Sequence, residues 1–257
     1  MGMTIRRGVL ASRDIWWIDA TIAARCPDFA RAETIYEGTY TRISRHPDCP
    51  GLISKLSWVK TAPRDNARKY WASQAKREMA ANRVMRRLGM QTASLTGFGI
   101  RIAPWVRAES LLLMGALPPH DTLRVVLRRT TEKTRRTVLL DRIARDIAAL
   151  YRNGYHHKDC HLENVLLTHT SEAMLATAAP QLVWVDNDLR YSVRADHACR
   201  RLDASLRQLA FTSRNFISTS EWHQFAATLS EHLCVTDLGR VLAATSVPAF
   251  VQTLPND

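Results

Sequence analysis

A chain of 257 residues with a formal charge of +12 is long enough to bury a substantial core, as one two-lobed domain or two small ones. Its 46% hydrophobic and 23% charged residues exclude a disordered chain, and no apolar run reaches the roughly 18 residues that a membrane-spanning helix needs. The excess of cations is either a solvated basic face or the mark of a polyanionic partner such as nucleic acid, anionic lipid headgroups or phosphorylated saccharide. Zinc-finger spacing and a ribonucleoprotein-type aromatic motif are absent, which argues against nucleic acid.

In chain order, residues 1–32 show little periodicity. Arg6-Arg7 lead into Gly8-Val9-Leu10-Ala11, but Arg13 and Asp14 end that run too soon for the core of a secretory signal, so a cytoplasmic protein is expected. Trp16-Trp17-Ile18 reads as a strand or a hydrophobic clasp, and Arg25-Cys26-Pro27-Asp28 as a turn. Thr34-Ile35-Tyr36 and Thr39–Ser44 flank Glu37-Gly38 and predict a hairpin. Its lone glycine, Gly38, suits an ordinary turn and can also let backbone N–H groups approach a phosphate. The turn cluster His46–Gly51 precedes a strand over Leu52–Trp58. Lys55 lies inside that strand, where an ammonium either faces water at a sheet edge or requires a paired anion.

Pro63–Asn66 breaks the chain, and residues 67–88 predict a helix ending at Gly89, with Trp71, Ala75, Met79, Asn82 and Met85 near one face. Glu78 lies on this helix. Gly97–Ile102 and Ser110–Met114 predict two strands around a turn at Ala103-Pro104 and Arg107–Glu109, and Gly115–Pro119 a linker. Thr122–Arg129 and Thr137–Tyr151 predict helices, the second with an apolar stripe of Leu139, Leu140, Ile143, Ile147 and Leu150. Arg128, Arg129, Lys133, Arg135 and Arg136 form the densest basic run, a solvated face or a polyanion contact. Asn153-Gly154 ends the helix. Arg190, Arg194 and Arg200-Arg201 precede and enter further helices predicted near 198–212, 220–233 and 236–244, before a tail marked by Pro248 and Pro255. The scattered Cys26, Cys49, Cys160, Cys199 and Cys234 contain no C-x-x-C pair, which argues against a disulfide framework or a zinc site. Cys160 reads as a loop packing residue.

The densest chemical signal is Tyr155–Leu167. It reads H-x-D-x-x-x-x-N, with His157, Asp159 and Asn164, before the apolar run Val165-Leu166-Leu167. A second predicted strand, Leu182–Val185, ends at Asp186-Asn187-Asp188. Phosphoryl transfer asks a protein mainly for positioning and charge neutralisation. In that chemistry Asp159 orients or deprotonates an acceptor hydroxyl, and the hard oxygens of Asn164 and Asp186 suit Mg²⁺, which takes one or two carboxylates plus phosphate oxygens. His157 reads as a loop organiser rather than a base.

HKDCHLENVLL (His157–Leu167) resembles the H-R-D-x-x-x-x-N loop of the protein-kinase-like fold, and VDND (Val185–Asp188) takes the place of D-F-G, with Asn187-Asp188 standing where its glycine is missing. His161 departs from the Lys usual in serine/threonine protein kinases and is closer to small-molecule kinases such as the aminoglycoside phosphotransferases. Over roughly residues 33–210 the layout is most similar to the lipopolysaccharide core kinases, which phosphorylate heptose or Kdo sugars. The resemblance implies an α+β, two-lobed protein-kinase-like fold, with a small antiparallel-sheet lobe plus one helix over residues 1–117 and a larger, mainly helical lobe over residues 118–257. It implies ATP and Mg²⁺ as cofactors, Asp159 as the catalytic residue, and Asn164 and Asp186 as metal ligands. Lys55, with Lys60 as its competitor, would contact the nucleotide phosphates with Glu78 as partner. Gly38 would lie over the phosphates, and Met114–Ala116 would meet the adenine. The implied reaction is ATP-dependent transfer to a sugar hydroxyl of lipopolysaccharide core. The implied partner is a sugar or lipid-linked saccharide, reached by peripheral contact with the anionic inner membrane. Three alternatives stay open: a small-molecule kinase, a protein kinase, and a non-catalytic pseudokinase binding module. The lone glycine and altered D-F-G favour the last, and the intact Asp159, Asn164 and Asp186 oppose it.

Overall fold

The computed structural model describes residues 3–7, 9, 15–20, 29–58, 73–102, 109–168, 181–192 and 195–233. Lys60, the turns expected at Arg25–Asp28, Pro63–Asn66 and Ala103-Pro104, the helical residues expected over 67–72, Arg194, the helix near 236–244, Cys26, Cys234 and the tail prolines lie outside them. The chain divides into two compact units, Met1–Arg83 with Ala93–Leu117, and Val84–Thr92 with Pro118–Asp257.

In chain order the first unit holds strands β1 (Met3–Arg7), β2 (Ile15–Asp19), β3 (Glu33–Glu37), β4 (Thr41–Arg45) and β5 (Leu52–Trp58), then helix α1 (Gln74–Arg87). The last turn of α1 is assigned to the second unit, as is the short strand β6 (Gln91–Thr92). The chain then returns to the first unit with β7 (Leu95–Arg101) and β8 (Glu109–Gly115). Its sheet has the order β1-β2-β7-β8-β5-β4-β3, with every described pairing antiparallel.

Strand β8 shows why the sheet buries both faces. Side chains alternate along a strand, so Leu111 and Leu113 point one way and join Trp16, Ile18 and Phe29. Leu112 points the other way and packs on Ala75 and Met79 of α1. Each such fully buried Leu contributes about 1.5–3 kcal/mol by leaving water.

The second unit holds β9 (His120–Thr122), α2 (Leu123–Arg129), α3 (Lys133–Arg152), β10 (Tyr155–His157), a 3₁₀ turn (Leu162–Asn164), β11 (Val165–Thr168), β12 (Leu182–Trp184), β13 (Leu189–Tyr191), α4 (Ala195–Ser213) and α5 (Thr219–His232). Strands β6-β12-β11-β9 form one small sheet, with β6 parallel to β12, and β10 pairs with β13. The stripe expected on α3, Leu139, Leu140, Ile143, Ile147 and Leu150, is buried in one cluster with Trp222, Phe225 and Leu229 of α5. Helix α3 begins four residues before the predicted Thr137, because its first turn is polar and leaves no apolar period to read. Caps set two other starts. The Thr122 side chain accepts from Val125 N–H, and Ser218 with Glu221 closes a capping box.

Gly154 ends α3 with φ +77° and passes the chain into β10. A Cβ there would lie 2.8 Å from Tyr191 Cε2. Gly154→Ala is therefore expected to lower stability by about 1–3 kcal/mol, read as a lower denaturant midpoint. Gly51→Ala is the control: a Cβ there meets nothing within 4 Å, and a change below about 0.5 kcal/mol is expected.

Candidate active site

In the first unit the site begins with a register. Lys55 lies opposite Leu112 across β5 and β8, so both side chains share the face that packs on α1. Glu78 projects from α1 onto that face. Lys55 Nζ donates to Glu78 Oε2 at 2.9 Å, and the side chains are 6% and 5% exposed. Desolvation of both charges is offset because each supplies the other a counter-charge. The edge-strand alternative for Lys55 is thus excluded, since β5 is interior to the sheet.

Gly38 lies in the turn between β3 and β4. Its N–H donates to Thr41 C=O at 2.8 Å, and Trp58 Nε1 donates to Thr39 C=O at 3.0 Å. The hairpin is closed by its own bonds, so the Gly38 amide is already engaged. At the other expected nucleotide contact, Gly115 N–H donates to Ser94 C=O at 2.7 Å and Ala116 N–H to Gly51 C=O at 2.9 Å.

In the second unit two loops are tied together. Strands β11 and β12 are antiparallel with Val165 opposite Trp184. The pairing continues one step further, as Val185 N–H donates to Asn164 C=O at 2.9 Å. Asn164 and Asp186 therefore leave the same end of one strand pair. Asn164 Nδ2 donates to Asp159 C=O at 3.0 Å and faces His161 Nε2 at 3.2 Å. That orients the Asn164 amide and leaves Oδ1 as the atom open to a cation. Asp186 has φ +53°, a left-handed conformation that Asp tolerates better than most residues, and it turns the chain sharply after β12. The half-buried Asp159 carboxylate makes no hydrogen bond or ion pair among the described residues. Sequence reasoning thus named three residues that the strand pairing and the Asn164 amide bring to one end of the sheet.

His157, expected as a loop organiser, holds these loops together with Asn187, Ser205, Gln208 and Asp146, which were not anticipated. His157 is buried, and burial pushes its pKa below the ordinary value while a bond to Asn187 opposes the shift. Asn187 Nδ2 donates to Trp184 C=O at 3.2 Å, so its Oδ1 faces His157 Nε2 at 3.1 Å and the imidazole proton sits on Nε2. Ser205 Oγ donates to His157 C=O at 2.8 Å, and Cys160 N–H to Gln208 Oε1 at 3.1 Å, fastening the loop to α4. Asp146 of α3 accepts from Trp184 Nε1 at 2.8 Å and from Arg142 Nε at 3.0 Å, steadying β12 two residues before Asp186. Burial raises the Asp146 pKa against the pull of Arg142. Asp146 had a sequence signal: a carboxylate three residues after Ile143 and four before Leu150, on the apolar face. Burial pushes the Cys160 thiol up to about 12, so it packs and does not react, as expected.

Among the described residues no three His, Cys, Asp or Glu side chains gather into a metal cluster. Mg²⁺ does not need one, because one carboxylate and one amide oxygen suffice when phosphates complete its shell. Asp186 and the oriented Asn164 Oδ1 fit that donor set.

The sequence pattern of the Lipopolysaccharide kinase (Kdo/WaaP) family matches residues 59–228, more than half of the chain. The chain belongs to that family. No curated protein sequence matches it. Among solved structures, WaaP in complex with acyl carrier protein is similar over 98% of this chain and 97% of that one, with TM-score 0.66 and 17% identity. With the two units and their sheets, that likeness makes this an α+β, two-lobed protein-kinase-like fold. The bifunctional kinase-methyltransferase WbdD (TM-score 0.42, 14% identity, 82% of this chain and 44% of that one) and vaccinia related kinase 3 (0.41, 11%, 99% and 75%) also match, too weakly to argue from. As a lipopolysaccharide kinase the chain is a phosphotransferase with a sugar hydroxyl of lipopolysaccharide as acceptor, rather than an aminoglycoside or protein kinase. No helix among the described residues is long and apolar enough to cross a membrane.

Lys55→Met removes the ammonium from buried Glu78 and is expected to destabilise by roughly 3–5 kcal/mol. Lys55→Met with Glu78→Leu should recover most of that loss in urea denaturation, and equal midpoints for the single variant and the parent would refute the buried pair.

His46 and His156 join His157 in having pKa values lowered by burial, His156 to about 4, helped there by Arg201 and Arg190. Below the ordinary value of 6.5 the unfolded chain binds these protons before the folded one does, so stability falls as pH drops from 6.5 through about 4. Asp146, raised above 3.8, acts with the opposite sign at the acid end. Melting temperatures of the metal-free protein should decline over that window, and a flat profile contradicts the burial.

Proposed function

We propose that this lipopolysaccharide kinase transfers the γ-phosphoryl group of ATP, with Mg²⁺, to a hydroxyl of Kdo or heptose in the lipopolysaccharide core. The observation that supports it most is the Val185–Asn164 backbone bond, which sets Asn164 and Asp186 at one end of a strand pair beside Asp159. Residues 1–117, less the Val84–Thr92 segment, form the nucleotide-phosphate lobe in this reading, and residues 118–257 the catalytic-loop lobe.

Asp159 orients the acceptor hydroxyl and takes its proton as the oxygen attacks the γ-phosphorus, while the bond from that phosphorus to the β,γ-bridging oxygen breaks and ADP leaves. Its carboxylate suits the task because no described group bonds it. Asn164 Oδ1 and the Asp186 carboxylate hold Mg²⁺, which when bound neutralises charge on the β- and γ-phosphates. Lys55 contacts phosphate oxygens, and Glu78 keeps its ammonium aimed. Gly38 permits a tight turn over the phosphates, although its own N–H serves Thr41. His157, neutral and bonded through Nε2, holds the loop and is not the base. The charge of +12 favours approach to a lipid-linked saccharide at the anionic cytoplasmic face of the inner membrane.

The test is mass spectrometry of purified core oligosaccharide after incubation with enzyme, ATP and Mg²⁺. One added phosphate is expected. Asp159→Asn should lower kcat by about 10²–10⁴-fold with an unchanged melting temperature. Full activity in that variant would remove Asp159 from the mechanism, and ATP binding without turnover in the parent would favour the binding-module alternative.

A further inference from the structure

A cavity of about 1140 Å³ opens in the second unit where the α2–α3 connection meets the α4–α5 connection. None of its lining residues belongs to the site above. Several guanidinium groups among the described residues have a carboxylate partner: Arg42 has Glu37, Arg45 has Glu33, Arg124 has Glu163, Arg129 has Asp121 and Arg207 has Asp203. Arg128, Lys133 and Arg214 line the cavity, are exposed, and form no ion pair among the described residues. Three cations thus line one concave surface with no ion-pair partner among the described residues, Arg214 lying over the Phe211 ring at 4.3 Å from the centroid.

The floor beneath them is pre-set. Arg136 Nη1 donates to Thr130 C=O at 3.1 Å and also to Leu127 C=O, and its Nη2 donates to Phe216 C=O. It pairs with Glu221, whose Oε2 also accepts from Ser218 N–H at 2.8 Å. Burial pushes the Glu221 carboxyl up, but the bonds from Arg136 and Ser218 outweigh it and hold the group below its ordinary value. Arg136 is thereby neutralised and fixes both connections, so the cavity's surplus charge is that of the other three side chains. Arg128 lies over the Phe216 ring at 5.4 Å from the centroid, which restrains its guanidinium. A restrained, planar cation gives up little freedom on forming paired bonds to a phosphate or carboxylate. The hydroxyls of Thr131 and Ser220 and the Asn215 amide also belong to lining residues and match sugar hydroxyls.

We propose that this cavity binds the phosphate groups of an anionic saccharide, as a second anchoring site apart from the residues of phosphoryl transfer. That the saccharide is the kinase's own acceptor rests on the function proposed above. Helix α2 supplies the connection, since Arg128 enters the cavity while Arg124, one turn earlier, pairs with Glu163 beside Asn164. An acceptor already bearing phosphate is held by its charge here, and discrimination against neutral sugars follows.

Isothermal titration of the full chain with glucose 1,6-bisphosphate tests binding directly, with glucose, inorganic phosphate and phosphatidylglycerol vesicles as comparisons. The bisphosphate should bind, glucose should not, and the affinity should fall as salt rises from about 0.05 to 0.3 M. Arg128→Gln, Lys133→Gln and Arg214→Gln combined should weaken binding by about tenfold or more. Arg128→Lys, which keeps the charge but loses the planar paired bonds, should weaken binding less than Arg128→Gln. With core oligosaccharide as acceptor, the triple variant should raise the acceptor KM while kcat and the KM for ATP hold. Asp159→Asn should do the reverse, lowering kcat and leaving bisphosphate binding intact, so the two readings fail separately. Should the triple variant unfold, amide shifts at Thr130–Lys133 and Arg214–Ser218 on titrating the labelled parent decide the matter. The proposal falls if parent and triple variant bind the bisphosphate equally, if neither binds, if inorganic phosphate binds as tightly, or if the substitutions remove only vesicle binding.

Discussion

The Val185 N–H to Asn164 C=O bond joins two loops that are twenty-two residues apart in the chain, 164 to 186. A cation bridging phosphates needs its protein oxygens held at one spot before it arrives, because loose ligands would each have to be ordered on binding. An antiparallel strand pair meets that need with little machinery. It sets where each chain leaves the sheet, and the left-handed turn at Asp186 then decides where the carboxylate goes. The bond from Asn164 Nδ2 to Asp159 C=O brings the third group into the same frame.

Each unit, taken by itself, also buries polar residues that core packing alone does not require. Lys55–Glu78, Asp146 with Trp184 and Arg142, and His157 with Asn187 are each desolvated and each satisfied in the part that counts. Apolar residues of similar volume would serve folding as well or better. What these groups add is direction, because a hydrogen bond has a geometry that an apolar contact lacks. The Arg136–Glu221 pair does the same for the cavity in the second unit, where it fastens two connections and leaves neighbouring cations without an ion-pair partner among the described residues.

Elements with a long apolar period were legible before folding was considered. The α3 stripe, the hairpin around Gly38, the strand containing Lys55 and the H-x-D-x-x-x-x-N stretch all stand where local spacing puts them. Boundaries were less legible wherever a helix begins with polar turns, as at Lys133, where side-chain spacing has nothing to report. The short strands β6, β9, β10 and β13 were missed because two or three residues cannot display an alternation, and their partners lie far along the chain.

The chemistry available to this protein was settled locally: which oxygens, which cations, and at what spacing in a loop. Those choices are written in side-chain identity and in short-range spacing, which need no knowledge of the fold. The fold alone decided that Lys55 faces Glu78 rather than water, that the Gly38 amide turns to Thr41, and that the Asn164 side-chain nitrogen turns to Asp159 C=O. Each of these depends on strand register or on a hydrogen-bond partner distant in sequence, and register is a property of two strands together.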